Sequence, residues 1–132
     1  MVSPIATGKR RARWAGFTLI ELLVVLAIMA ALLTLVVPRY FKQTERAHET
    51  VLRHNLLAMR DAIDKFHGDL GRYPSSLDEL ASQQYLREVP LDPITGRRDS
   101  WRIQAPANQA GVFDVHSGAA GQGSDGSDYA QW

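Results

Sequence analysis

The longest apolar run in the chain spans Phe17 to Val37 (FTLIELLVVLAIMAALLTLVV), 21 residues with one charge, Glu21. A helix of that length covers about 30 Å, the thickness of a bilayer's hydrocarbon core. An ordinary secretory signal peptide has an apolar stretch of roughly 7–15 residues and a small-x-small cleavage site after it. This run is too long, and Val37-Pro38-Arg39-Tyr40 is a poor match for such a site. A plain signal anchor would explain the length and the flanking charge, but not Glu21.

Beyond the run, the pattern becomes amphipathic. Arg39 to Phe66 contains no Gly and no Pro. Tyr40, Thr44, Ala47, Val51, Ala58 and Ala62 form one apolar or small row, flanked by Leu52, Leu56, Met59, Ile63 and Phe66. These spacings of three and four predict a helix with one apolar stripe. Lys42, Glu45, Arg46, Glu49, Arg53, Arg60, Asp61, Asp64 and Lys65 are assigned to its solvated face. The two segments together predict one helix of about 50 residues, stopped at Gly68–Gly71.

The remainder carries shorter signals. Arg72-Tyr73-Pro74 reads as a turn. Ser76-Leu77-Asp78-Glu79 reads as a capping box that opens a short helix from Leu77 to about Gln83. Asp92-Pro93-Ile94-Thr95-Gly96 reads as a turn. Ser100–Gln104 and Val112–His116 alternate, with Trp101 and Ile103 on one face and Phe113 and Val115 alternating with Asp114, which predicts a two-strand hairpin. Two strands alone are marginal, so they must lean on the helix.

Charge sharpens the reading of the N-terminus. The chain's net charge is +1, but residues 1–16 total +4, from Lys9, Arg10, Arg11 and Arg13, and the remaining 116 residues total −3. A basic body, as expected of a nucleic-acid binder, is absent. A basic cluster before an apolar span orients the span with its leader inside and its C-terminus outside; Arg39 and Lys42 oppose this weakly. There is no cysteine, so no disulfide supports the C-terminal part. His48, His54, His67 and His116 lack metal-ligand spacing, and the chain has no H-E-x-x-H, G-x-S-x-G or phosphate-loop motif. Nothing in the sequence marks an enzyme.

Glu21 needs its own explanation. A carboxylate inside a membrane helix costs about 2.5–3.5 kcal/mol on insertion scales. Cleavage between Gly16 and Phe17 would create an α-amino group four residues before it. An amine and a carboxylate attract strongly in a low-dielectric setting, within one chain or between neighbours. Ala27, Ala30 and Ala31 permit close helix packing in lipid.

The basic leader, then Gly16-Phe17-Thr18-Leu19-Ile20-Glu21 and a long apolar run, resembles the N-terminal signature of type IV pilins and of type II secretion pseudopilins. Residues 1–8 (MVSPIATG) are not basic, which makes the leader long and allows a start downstream of Met1. The C-terminal part resembles the major-pseudopilin family of type II secretion (general secretion pathway protein G). It does so through Arg72-Tyr73-Pro74, Leu86–Pro90, Asp92-Pro93 with Gly96, Trp101, Asp114-Val115 with Ser117-Gly118, and Asp125-Gly126 with Trp132. The absent cysteines agree, because many type IV pilins close a C-terminal loop with a disulfide.

The resemblance implies an α+β, type IV pilin-like fold. Residues 1–16 would be a cleaved leader, 17–37 a transmembrane assembly helix, 38–67 an amphipathic spine, and 68–132 a small periplasmic α/β part. It implies that a prepilin peptidase cuts after Gly16 and methylates the Phe17 amine. Glu21 would pair with the Phe17 amine of a neighbouring subunit, and Pro38 would kink or unwind the helix. The chain would sit once across a bacterial inner membrane, polymerise with itself, and work with minor pseudopilins and an inner-membrane assembly platform, with membrane lipid and without nucleic acid. It would form a periplasmic pseudopilus that drives secretion across the outer membrane; the alternative is a surface pilin for adhesion, motility or DNA uptake. In the family a C-terminal loop binds structural Ca²⁺. Here Ser124, Asp125 and Asp128 are the candidate ligands, although Ala119-Ala120 stand where relatives often carry an acid. A flexible Gly/Ser tail is the alternative for this segment.

Overall fold

A computed structural model of the chain describes residues 1–5, 8 and 16–132; the leader cations Lys9, Arg10, Arg11 and Arg13 lie outside the described residues. The chain divides into two compact units, Met1–Pro38 and Arg39–Trp132. Its elements are α1 (Leu19–Leu70), α2 (Leu77–Ser82), β1 (Arg102–Gln104), β2 (Asp114–His116) and a 3-10 turn at Tyr129–Gln131. A long N-terminal helix, a short helix and a two-stranded antiparallel sheet make the α+β, pilin-like arrangement expected from the sequence.

Pro38 lies inside α1, and the helix runs unbroken through it. A single missing N–H leaves the bonds on either side in place, so the helix is not unwound there. Gly68 does not end the helix either. It continues to Leu70, and the stop is Gly71, at φ +68°, whose N–H donates to the His67 carbonyl at 2.9 Å. That single bond is the left-handed C-terminal cap which glycine adopts at little cost.

Within the Arg39–Trp132 unit, the buried face of α1 is Glu49, Leu52, Leu56, Met59, Ala62, Ile63 and Phe66. The main row is spaced three and four residues apart, so it forms one continuous stripe. This corrects the row assigned from the sequence: Tyr40 and Val51 are exposed and Ala47 faces solvent, while the flanking row of Leu, Met, Ile and Phe is the core. Large side chains remove more apolar area from water than alanines do, so their row wins the inward position. Leu77, Leu80, Trp101, Val112, Val115, Ala119 and Tyr129 complete the core, with Tyr73, Tyr85, Leu86, Val89, Ile94 and Trp132 packed against it.

The helix α2 opens as its sequence predicts, with one change. The Ser76 hydroxyl accepts from the Glu79 N–H at 3.3 Å. Glu79, however, reaches past Ser76. Its carboxylate accepts from the Ser75 N–H at 2.6 Å and the Ser75 hydroxyl at 2.9 Å, and pairs with Arg72 at 2.7 Å. The Arg72 guanidinium is nearby because it also lies over the Phe66 ring, 4.9 Å from its centre.

The hairpin is shorter than expected. Arg102 pairs with His116, Ile103 with Val115 and Gln104 with Asp114. Val115 is fully buried, but Ile103 and Phe113 are about half exposed. With three residues per strand, strict alternation covers too little chain to bring all four residues inward. Trp101 is buried just before β1, its indole N–H donating to the Pro90 carbonyl at 2.8 Å, and Val112 is buried before β2. Phe113 instead meets Tyr73 edge-on at 5.5 Å. The Asp92 turn forms as read. Its carboxylate is fully buried and accepts from the Ile94 N–H at 2.8 Å and the Ser117 hydroxyl at 2.6 Å.

The Arg72 side chain, then the Ser75 backbone and hydroxyl, lower the Glu79 pKa from 4.5 to about 2. A carboxylate with a depressed folded-state pKa stabilises the fold above its ordinary pKa, and that contribution disappears as pH falls through the folded value. Between pH 4.5 and about 2, the parent should therefore lose melting temperature along a slope that Glu79→Gln flattens. Tryptophan fluorescence melts across that range check this; identical slopes would contradict it.

Candidate functional site

Two places in the chain carry functional groups, and they lie in different units. The first is the start of α1. Thr18 precedes the helix, and its hydroxyl accepts from the Glu21 N–H at 3.2 Å. Thr18-Leu19-Ile20-Glu21 is thus a helix start of the T-x-x-E kind, with Glu21 at the third helical position. The sequence reading missed this local role. The capping signature was present but lay inside a stretch read for its hydropathy. A carboxylate in a first helical turn is also favoured by the helix dipole.

No ion pair among the described residues involves Glu21. The apolar side chains around it are exposed: Phe17 by 87%, Leu19 by 76% and Ile20 by 70%. Exposure continues along the whole segment to Val37, and the most apolar window of α1 has a mean hydropathy of 2.9 with none of it buried. An apolar surface of this extent needs lipid or other protein around it. Gly16 and Phe17 are exposed immediately before this helix.

The second place is the C-terminal segment, where one face of α1 grips the chain end. The Glu49 carboxylate is buried and accepts from the Ser124 N–H and hydroxyl, both at 2.6 Å, and from the Tyr129 hydroxyl at 3.3 Å. One turn later, Arg53 donates to the Asp125 carboxylate at 2.8 Å, and its guanidinium lies 4.1 Å from the centre of the Trp132 ring. Two turns further on, Arg60 donates to Asp114 at 2.8 Å, to the Val115 carbonyl at 2.9 Å and to the Trp132 main-chain oxygen at 2.6 Å. The intervals of four and seven residues keep the three side chains on one helix face. All three had been assigned to the solvated face. The signal that places Glu49 correctly is its register, three residues before Leu52 on the apolar stripe.

The segment is therefore an ordered turn rather than a flexible tail. Gly123 and Ser127 are hydrogen-bonded at 2.8 Å, and Gln122 bridges Asp128. Gly123 lies so close under the Trp132 ring that a Cβ there would collide with it. Tyr129 is buried and meets Trp132 edge-on at 5.1 Å, so these two residues anchor the segment as the sequence suggested.

The expected calcium ligands are placed differently from a metal cage. The Ser124 hydroxyl donates to Glu49. One Asp125 oxygen accepts from the Ser127 N–H at 2.9 Å and hydroxyl at 2.6 Å, and the other holds Arg53. Asp128 precedes the 3-10 turn, and its side chain makes no capping bond. Among the described residues no group of three or more His, Cys, Asp or Glu is arranged to hold a metal ion. In this structure the donor set is engaged with protein partners, and its central carboxylate faces a guanidinium. Two of the histidines make structural contacts: His67 stacks on Tyr73 at 4.2 Å, and His116 Nδ1 lies 2.9 Å from the Trp132 main-chain oxygen.

Comparison with known proteins bears on both places. The prokaryotic N-terminal methylation motif matches residues 15–37. The type II secretion system core protein G of Pseudomonas aeruginosa is 32% identical over 93% of this chain and 98% of its own length. The chain belongs to the type II secretion system core protein G family. The core protein G of Aeromonas hydrophila is 28% identical over 93% of the chain and 95% of its own length. A type IV major pilin protein, PilA of Myxococcus xanthus, is 30% identical over 74% of the chain but only 40% of its own length. No solved structure gives a significant match.

In this core protein G family member, Glu49 is the anchor of the C-terminal segment. Burial pushes its carboxyl up, but the Ser124 side chain and backbone and the Tyr129 hydroxyl outweigh that and leave its pKa lowered. Glu49→Ala leaves three donors without an acceptor. It should destabilise the Arg39–Trp132 unit by about 1–3 kcal/mol, read from the urea midpoint of tryptophan fluorescence. An unchanged midpoint would show that the Ser124 and Tyr129 bonds contribute nothing net.

Proposed function

We propose that the chain is a structural subunit, the major pseudopilin of a type II secretion system. The observation that carries this is the pairing of the core protein G match along nearly the whole chain with an exposed apolar helix that holds a lone carboxylate, Glu21, in its first turn. Its part in secretion is mechanical, not catalytic. A prepilin peptidase removes residues 1–16 on the cytoplasmic side, and the new Phe17 amine is methylated. The helix holds the subunit in the inner membrane with the Arg39–Trp132 unit in the periplasm. Subunits then leave the bilayer one at a time for a growing periplasmic fibre, assembled on an inner-membrane platform with minor pseudopilins. Folded substrates are pushed through the outer-membrane channel as the fibre extends.

Glu21 makes the addition directional. In hydrocarbon a carboxylate and an amine are each costly alone and attract when paired. A subunit whose Glu21 meets the Phe17 amine of its neighbour satisfies both charges at one stagger only. The alanines at 27, 30 and 31 let neighbouring helices approach closely along that contact. Pro38, at the boundary of the two units, is where the helix can bend to fit the fibre. The match to a type IV major pilin supports a second reading, a subunit of a surface fibre.

A strain lacking this gene, complemented with the parent or with Glu21→Ala, tests the proposal. The parent restores a defined set of proteins to the culture medium, and Glu21→Ala is cleaved and inserted but restores none of them. Restoration by Glu21→Ala would refute the pairing mechanism. Unchanged secretion together with loss of surface fibres, twitching or DNA uptake in the deletion strain would select the pilin reading. Gly16→Leu should accumulate as a heavier, uncut precursor on an immunoblot; normal processing would move the cleavage site elsewhere.

A further inference from the structure

We propose that this chain closes its C-terminal loop without a metal ion, with the Arg53 guanidinium acting as the built-in cation that holds Asp125. A loop of carboxylate and hydroxyl oxygens can be neutralised by a bound divalent ion or by a side chain of the protein, and the two compete for the same charge. Here Arg53 stands 2.8 Å from one Asp125 oxygen, and the Ser127 N–H and hydroxyl hold the other. The Ser124 hydroxyl, a further candidate donor, is directed to Glu49. A calcium ion entering this loop would compete with a guanidinium on one Asp125 oxygen and with the two Ser127 bonds on the other. It would gain only Asp128 as a new carboxylate, because Ala119 and Ala120 bring none.

The same arginine does a second job that an ion could not. Its planar head lies against the Trp132 ring at 4.1 Å while bonding Asp125, so one side chain ties together the turn at residues 122–128 and the aromatic anchor at 129–132. Glu49 one turn before and Arg60 two turns after fix the flanks of this segment. The loop is therefore fastened to α1 at three heights by the protein's own charges. Stability of the globular unit becomes independent of the calcium level outside the cytoplasm. This holds whether the fibre serves secretion or the cell surface, so its test does not depend on the proposed function.

The test uses the full chain in a non-ionic detergent, with melting followed by tryptophan fluorescence, in EDTA and in calcium chloride. About 10 mM calcium saturates even weak extracellular calcium modules, and binding at such a site would raise the melting temperature by about 6 °C or more. The proposal predicts a difference of less than about 1 °C between the two conditions, the behaviour of a protein without a linked ion. It also predicts that Arg53→Gln lowers the melting temperature in EDTA by about 4 °C, and that Arg53→Lys recovers only part of the loss because lysine cannot both bond Asp125 and lie flat on Trp132. A calcium-dependent rise in the unaltered chain would overturn the proposal, as would an Arg53→Gln chain as stable as the parent. The comparison on the unaltered chain decides the matter even if the variants fold poorly.

Discussion

Burial of one face of α1 is the constraint on which the Arg39–Trp132 unit depends. Six of its thirteen core residues come from that face, from Leu52 to Phe66. The sheet has only two strands of three residues each, which cannot be stable alone. Val115 is buried in the same cluster as the helix face. The helix α2 adds Leu77 and Leu80 against the same stripe, and Trp101, Val112 and Tyr129 fill the rest. Small domains bury a low fraction of their surface and commonly add disulfides or metals to compensate. This chain has no cysteine, and polar contacts between the helix and the C-terminal segment add to its core.

Those contacts explain why charged residues sit where an amphipathic helix would be expected to be apolar or solvated. Glu49, Arg53 and Arg60 run up one edge of the buried stripe, and each ends on a polar group of the last twenty residues. The Arg53–Asp125 pair is about half exposed on both sides, so its Coulomb contribution by itself is modest. Its importance lies in where it acts, next to a glycine that admits the Trp132 ring and a tyrosine that reaches the buried Glu49. The other half of the protein follows an opposite logic. Around Glu21 there is no internal partner among the described residues and no burial. A surface left so incomplete in the monomer is consistent with completion by other subunits and lipid.

Most of the architecture was legible in the sequence because it rests on long-range periodicity. The apolar run and the three-and-four spacing predict α1, the S-x-x-E signature predicts α2, and the Asp92-Pro93 and Gly96 pattern predicts its turn. Details that depend on tertiary contacts were not legible. Two apolar rows on α1 competed for the core, and spacing alone does not say that Leu52, Leu56 and Met59 outrank Val51 and Ala58. Ile103 and Phe113 alternate correctly for a strand but lie where the hairpin has no covering layer. Glu79 answers to Ser75 and Arg72 rather than to Ser76, because Arg72 is brought back over Phe66 by the fold. The Ser124, Asp125 and Asp128 set looked like a cation site from composition. Composition alone could not show that Asp125 meets an arginine more than seventy residues away in the chain.

The claim that neighbouring subunits meet through the first turn of α1 is open to direct measurement, because the chain offers no thiol of its own. A chain carrying Thr18→Cys and Leu22→Cys places one thiol beside the Phe17 amine and one beside Glu21. If Glu21 of each subunit lies at the amine of the next, mild oxidation of assembled fibres should produce a ladder of disulfide-linked multimers on a non-reducing gel, while either single cysteine stops at dimers or monomers. A double-cysteine chain that assembles but yields no ladder would contradict the account.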